Sequence, residues 1–114
     1  MPYISTKTNI ELAKDKRDAL AAKYGEIISI VPGKTERWLM LSFDGGAEMY
    51  FGGRGDEPMA YIELSLFGGT SDAVYDKLTV AVCDAVSEET GIAPSNIYIK
   101  YEEAEHWGWN GSNF

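Results

Sequence analysis

The chain opens Met1-Pro2, which places a proline directly behind the first methionine. If the methionine is trimmed during synthesis, Pro2 becomes the terminus and its nitrogen a secondary amine. An α-amino group titrates near ~8, far below a lysine. Removal from water or a neighbouring cation lowers that value further. The result is a proton acceptor that works near neutral pH, the property a general base needs. Met-Pro alone decides little, since many chains begin this way for no catalytic reason. Other reactive residue types are scarce. Cys83 is the only cysteine, so no intrachain disulfide is expected, and its setting in Val80-Ala81-Val82-Cys83 predicts a buried, inert thiol. His106 is the only histidine, and no further His or Cys stands at metal-ligand spacing, so it reads as a surface or interface residue. Arg54-Gly55-Asp56 spells an integrin-recognition tripeptide, but in a Gly-rich turn it reads as coincidence.

Bulk properties narrow the setting of that amine. A length of 114 residues predicts a single domain, residues 1–114, with one modest core. Hydrophobic residues at 45% and charged residues at 25% match an ordinary globule. Ten basic against eighteen acidic residues give a net charge of −8, which argues against nucleic acid as a partner. Any basic side chains that converge on a pocket are therefore informative. No run approaches the ~20 apolar residues of a membrane span. The start of the chain lacks the pattern of a signal peptide, which makes a cytoplasmic location the expectation. No cofactor or metal is expected.

The elements that must position the amine read as two similar halves. Residues 3–8 form a predicted strand, residues 14–31 a helix, and residues 38–43 a strand. The order repeats as a strand at 60–66, a helix at 71–90 and a strand at 97–101. A Gly-rich connection at 44–58 joins the halves, and the period is roughly 57–60 residues. This is an α+β pattern: two pseudo-symmetric β-α-β units forming a four-stranded mixed sheet with two helices on one face. Ile62, Leu64 and Leu66 share one strand face, as do Ile97, Ile99 and Tyr101, and both sets suit a helix layer. Glu63, Ser65, Tyr98 and Lys100 fall on the opposite face. Two helices cover only one side, so the other side is solvated or packed against another subunit.

An ordered set of short motifs carries a resemblance. Met1-Pro2, Gly33-Lys34, Met49-Tyr50-Phe51-Gly52-Gly53, Glu57-Pro58, Ile97-Tyr98-Ile99 and Gly108-Trp109-Asn110-Gly111-Ser112 occur in order over almost the whole chain. Together they resemble macrophage migration inhibitory factor and its relatives in the tautomerase superfamily. The resemblance implies the doubled β-α-β fold, a trimer with sites between subunits, and keto-enol tautomerisation of phenylpyruvate-like α-keto acids. It implies Pro2 as the general base and Lys34 as the holder of the substrate carboxylate. Tyr98 matches a tyrosine contributed across the subunit interface. Phe67 falls where the family usually has an aliphatic residue whose backbone N–H helps bind substrate. Trp38 replaces a rim tyrosine, and Trp107, Trp109 and Phe114 match an apolar wall. The plainer reading of Trp107 and Trp109 is packing of a C-terminal strand against a neighbour. The alternative function is a cytokine-like binding protein that acts through a receptor and keeps only vestigial activity.

The departures from the family pattern are specific. Lys100 stands where the best-known members have asparagine. If it enters the pocket, it adds a cation that lowers the Pro2 pKa and tightens binding of dianionic substrates. The plainer reading is a solvated lysine on a sheet edge. The cytokine's Cys-x-x-Cys positions are Met59 and Ile62 here, so its thiol chemistry does not carry over. A one-residue insertion near Arg54-Gly55-Asp56 and a shortening around Glu103–His106 fall where the pocket rim or subunit contacts are expected. Glu102, Glu103 and Glu105 read as a solvated acidic edge.

Overall fold

The computed structural model describes residues 1–114. Its first half runs β1 (Pro2–Thr8), α1 (Lys14–Ile27) and β2 (Met40–Asp44). The second runs β3 (Ala60–Phe67), α2 (Asp72–Thr90) and β4 (Ile97–Ala104), and a small hairpin follows, β5 (Gly108–Trp109) and β6 (Ser112–Asn113). The main sheet has the order β2-β1-β3-β4. Each half contributes a parallel pair, β1 with β2 and β3 with β4, and the halves join antiparallel through β1 and β3. The expected doubled β-α-β unit and four-stranded mixed sheet are both present. No helix is long and apolar enough to cross a membrane.

Alternation along the strands sorts residues between two faces. Ile4, Ile62, Leu64 and Leu66 are fully buried, and they join Leu20, Tyr24, Leu78 and Val82 of the helices in one core. Two threonines of β1 sit in that core and need partners there. Thr6 Oγ1 lies 2.9 Å from the Tyr24 hydroxyl, and the Thr8 hydroxyl donates to the Met59 carbonyl at 2.7 Å. Tyr24→Phe strands the Thr6 hydroxyl, and should cost about 1–3 kcal/mol of stability in urea unfolding. An unchanged midpoint would show that Thr6 finds another partner.

Helix α2 begins as its sequence predicts, with the Ser71 hydroxyl accepting from the Val74 N–H at 3.3 Å. Helix α1 ends at Ile27 rather than at residue 31. There a 3-10 turn, Ile28–Ile30, tightens the chain, and the Ser29 hydroxyl donates to the Glu26 carbonyl. The apolar stripe still reaches the core through Ile28 and Val31. Strand β2 starts at Met40 rather than at residue 38, because Glu36–Trp38 forms another 3-10 turn. The β5–β6 hairpin was not expected. Asn110 and Gly111 form its turn with φ of 52° and 77°, as a two-residue hairpin loop requires.

Candidate functional site

The site forms where the central strands β1 and β3 meet at one end of the sheet. Pro2 opens β1 opposite Leu66, a position where the missing N–H breaks no necessary ladder bond. Pro2 is buried, while Met1 projects into a cavity of about 780 Å³. A row of register partners on the uncovered sheet face, Met40, Tyr3, Ser65 and Glu102, floors that cavity. The Tyr3 hydroxyl is fixed 2.7 Å from Ser42 Oγ.

Lys34 reaches the strand ends from the turn after α1. The left-handed backbone of Gly33, φ 81°, redirects the chain, and the Lys34 N–H donates to the Val31 carbonyl. Its ammonium donates to the Phe67 carbonyl at 3.3 Å. The N–H of Phe67 donates to the Met1 carbonyl at 3.1 Å. Lys34 also acts on the terminal amine. Burial, then a hydrogen bond with Lys34 and its positive charge, lower the Met1 amine from 8.0 to about 6. The pKa of the Met1 amine is thereby brought below neutral pH.

Aromatic rings close the other side. Trp38, held by its 3-10 turn, meets Trp109 of β5 edge-on, with ring centroids 5.0 Å apart. Trp109 stacks on Phe114 at 6.4 Å, and Phe114 lies 5.7 Å from Phe67. The Phe114 N–H donates to the Trp107 carbonyl, which ties the chain end back beside the hairpin. Trp107 lines the cavity with Trp38 and Trp109. The rings therefore brace one another, and a flat or apolar ligand finds a preformed wall.

This arrangement agrees with the comparisons. The family model for macrophage migration inhibitory factor matches residues 1–114. The chain belongs to the macrophage migration inhibitory factor family. A macrophage migration inhibitory factor homolog of Brugia malayi is 28% identical, over 100% of this chain and 99% of that protein. The crystal structure of Leishmania major MIF2 superposes with a TM-score of 0.93 at 32% identity, covering 100% of this chain and 97% of that one. A homologue from Prochlorococcus marinus gives 0.82 at 29% identity, covering 98% of each chain.

Within one chain of this family member, Pro2, Lys34, Phe67, Trp38, Trp107, Trp109 and Phe114 gather around the strand ends. Tyr98 and Lys100 do not. Tyr98 is the second residue of β4 and packs against Phe51 with centroids 4.9 Å apart. Lys100 pairs with Glu102 at 2.8 Å, and hydrogen bonding to that carboxylate raises its pKa. Glu102, Glu103 and Glu105 are exposed at the β4 edge of the sheet, as a solvated acidic edge implies. Glu103 accepts from the Tyr75 hydroxyl at 2.6 Å, and both Glu102 and Glu103 line the cavity.

His106 and Arg37 also border the cavity. Arg37 escaped the sequence reading, and its only signal was adjacency to Trp38. Arg54 folds back onto Asp56 through two hydrogen bonds of 3.1 and 3.0 Å, so the tripeptide pairs with itself. Met59 and Ile62, at the family's thiol positions, are core residues. Cys83 is half-buried rather than buried, and burial followed by the charge of Asp84 raises its thiol pKa. Nowhere do three or more His, Cys, Asp or Glu side chains gather as a metal ion would require.

Proposed function

We propose that the protein is a cofactor-independent keto-enol tautomerase of phenylpyruvate-like α-keto acids, with the Pro2 nitrogen as general base once Met1 is removed. The observation that carries this reading is the surroundings of the terminal amine. Burial and Lys34 lower its pKa to about 6 beside a cavity walled by aromatic rings. Removal of Met1 transfers the amine to Pro2 at the same strand end. It also releases the Phe67 N–H from the Met1 carbonyl, leaving a free backbone donor beside the new terminus.

The chemistry then follows. Lys34 holds the substrate carboxylate, and the aryl group lies along Trp38 and Trp109. The Pro2 lone pair takes a proton from the carbon next to the keto group. The C–H electrons become the enol double bond, and the carbonyl π electrons move to oxygen. That oxygen receives the proton, so no redox partner is needed. Like-charge repulsion from Lys34 keeps the amine free, and the same cation attracts an anion to an acidic protein. The reading includes a homotrimer in which a neighbouring copy supplies Tyr98. Tyr98 is 61% exposed in the single chain, which leaves it available to a neighbouring copy.

Lys34→Gln tests the proposal. It removes the carboxylate partner, so kcat/KM for phenylpyruvate should fall about 10- to 100-fold, mainly through KM. It also removes two of the three causes that lower the amine pKa. The acid limb of the pH-rate profile should therefore move to higher pH. An unchanged KM with an unmoved limb would overturn the reading.

A further inference from the structure

We propose that Arg37 is a specificity residue, selecting substrates that carry a second carboxylate at the end distant from the reacting carbon. The inference rests on the tautomerase reading and extends it to the substrate class. Its starting point is a charge imbalance. In a chain with eighteen acidic and ten basic residues, half of the cations pair with a carboxylate. Lys14, Lys16, Lys23, Arg54 and Lys100 all form ion pairs. Arg37 joins none of the ion pairs and none of the side-chain hydrogen bonds, yet it borders the cavity.

No acidic group of the cavity pairs with Arg37. Glu102 is held by Lys100 at 2.8 Å, and Glu103 accepts from the Tyr75 hydroxyl at 2.6 Å. Glu103 keeps its negative charge but is engaged with Tyr75, and the cavity cation with no anionic partner is Arg37. It is also held in position. The Arg37 guanidinium carbon lies 5.1 Å from the centroid of the Trp38 ring, and Trp109 braces that ring edge-on. No ion pair engages the Arg37 N–H groups, which keep the fork that matches a carboxylate bidentately.

Lys34 marks the reacting end, beside the terminal amine and Phe67. Arg37 borders the cavity three residues further along the chain, with the indole of Trp38 beside it. A ligand with a keto acid at one end, an apolar or aryl spacer, and a carboxylate at the other meets complementary chemistry along its length. Lys100, the sequence candidate for a second anion-binding cation, is instead neutralised by Glu102 within the chain.

The test compares 4-carboxyphenylpyruvate with phenylpyruvate, using protein that begins at Pro2. The wild type should favour the dianion in kcat/KM. Arg37→Gln should lower the ratio of the two values by about tenfold or more, and Arg37→Lys should restore part of it. A ratio unmoved by Arg37→Gln, or a wild type with no preference, overturns the proposal. Quenching of tryptophan fluorescence by each acid gives the binding ratio without turnover. If neither acid is turned over, the tautomerase reading fails. The binding ratio then judges Arg37 alone: a selective loss of dianion affinity upholds its role, and an equal loss or none refutes it.

Discussion

Protein that keeps a residue in front of Pro2 should tautomerise phenylpyruvate about 10²- to 10⁴-fold more slowly than protein that begins at Pro2. An amide nitrogen has no basic lone pair, so the general base is lost outright. The extra residue does further harm. The Met1 carbonyl occupies the Phe67 N–H at 3.1 Å, and Met1 itself lines the cavity. Intact mass identifies the terminus of each preparation, and a rate at fixed pH completes the comparison. Pro2→Gly should fall between the two forms, since it keeps an amine but loses the ring that fixes the backbone. Binding of a partner through the outer surface would survive both changes, which separates the cytokine-like alternative. Equal rates from trimmed and extended protein would remove Pro2 from the mechanism.

Leu66→Ala should cost about 2–5 kcal/mol of stability, the range for emptying a buried leucine site. Leu66 is fully buried on β3, directly across from Pro2, and precedes Phe67. The lost packing therefore falls at the seat of the proposed base. The measurement is the urea midpoint at fixed protein concentration, with the rate recorded under conditions where the variant is folded. A midpoint within experimental error of the parent would mean that the helix layer collapses to fill the gap.

Strand alternation made the sheet legible, because Ile62, Leu64 and Leu66 have no second reading at that spacing. The repeated β-α-β order then gave the doubled unit, while the antiparallel join of β1 and β3 came only from the structure. The ends of elements were harder to read. Ile27 to Val31 keep a helical stripe, yet after residue 27 the chain tightens into a 3-10 turn, a change that hydrophobic spacing does not register. Asn110-Gly111 is a strong hairpin signal, but two strands of two residues each carry too little alternation to notice.

Pro2, Lys34 and the aromatic wall came from motif order, and the single chain gathers them. Tyr98 lies elsewhere in the chain, where the resemblance implied a residue contributed from a neighbouring subunit, and Lys100 pairs with Glu102 instead of entering the cavity. Arg37 had no motif at all. Its role depends on which carboxylates are already occupied, and only three-dimensional pairing reveals that.

The register of Pro2 against Leu66 has a consequence for how a base can be held. Most catalytic bases sit at the end of a side chain, whose rotamers must be frozen at a cost of up to ~2 kcal/mol. Pro2 would carry its lone pair on the main chain, in a ring, at the first position of a strand laddered on both sides. No χ angle needs to be immobilised between the sheet and the reacting atom. Its aim is inherited from the hydrogen-bond ladder, so substitutions around it act through strand displacement rather than through a choice of rotamer.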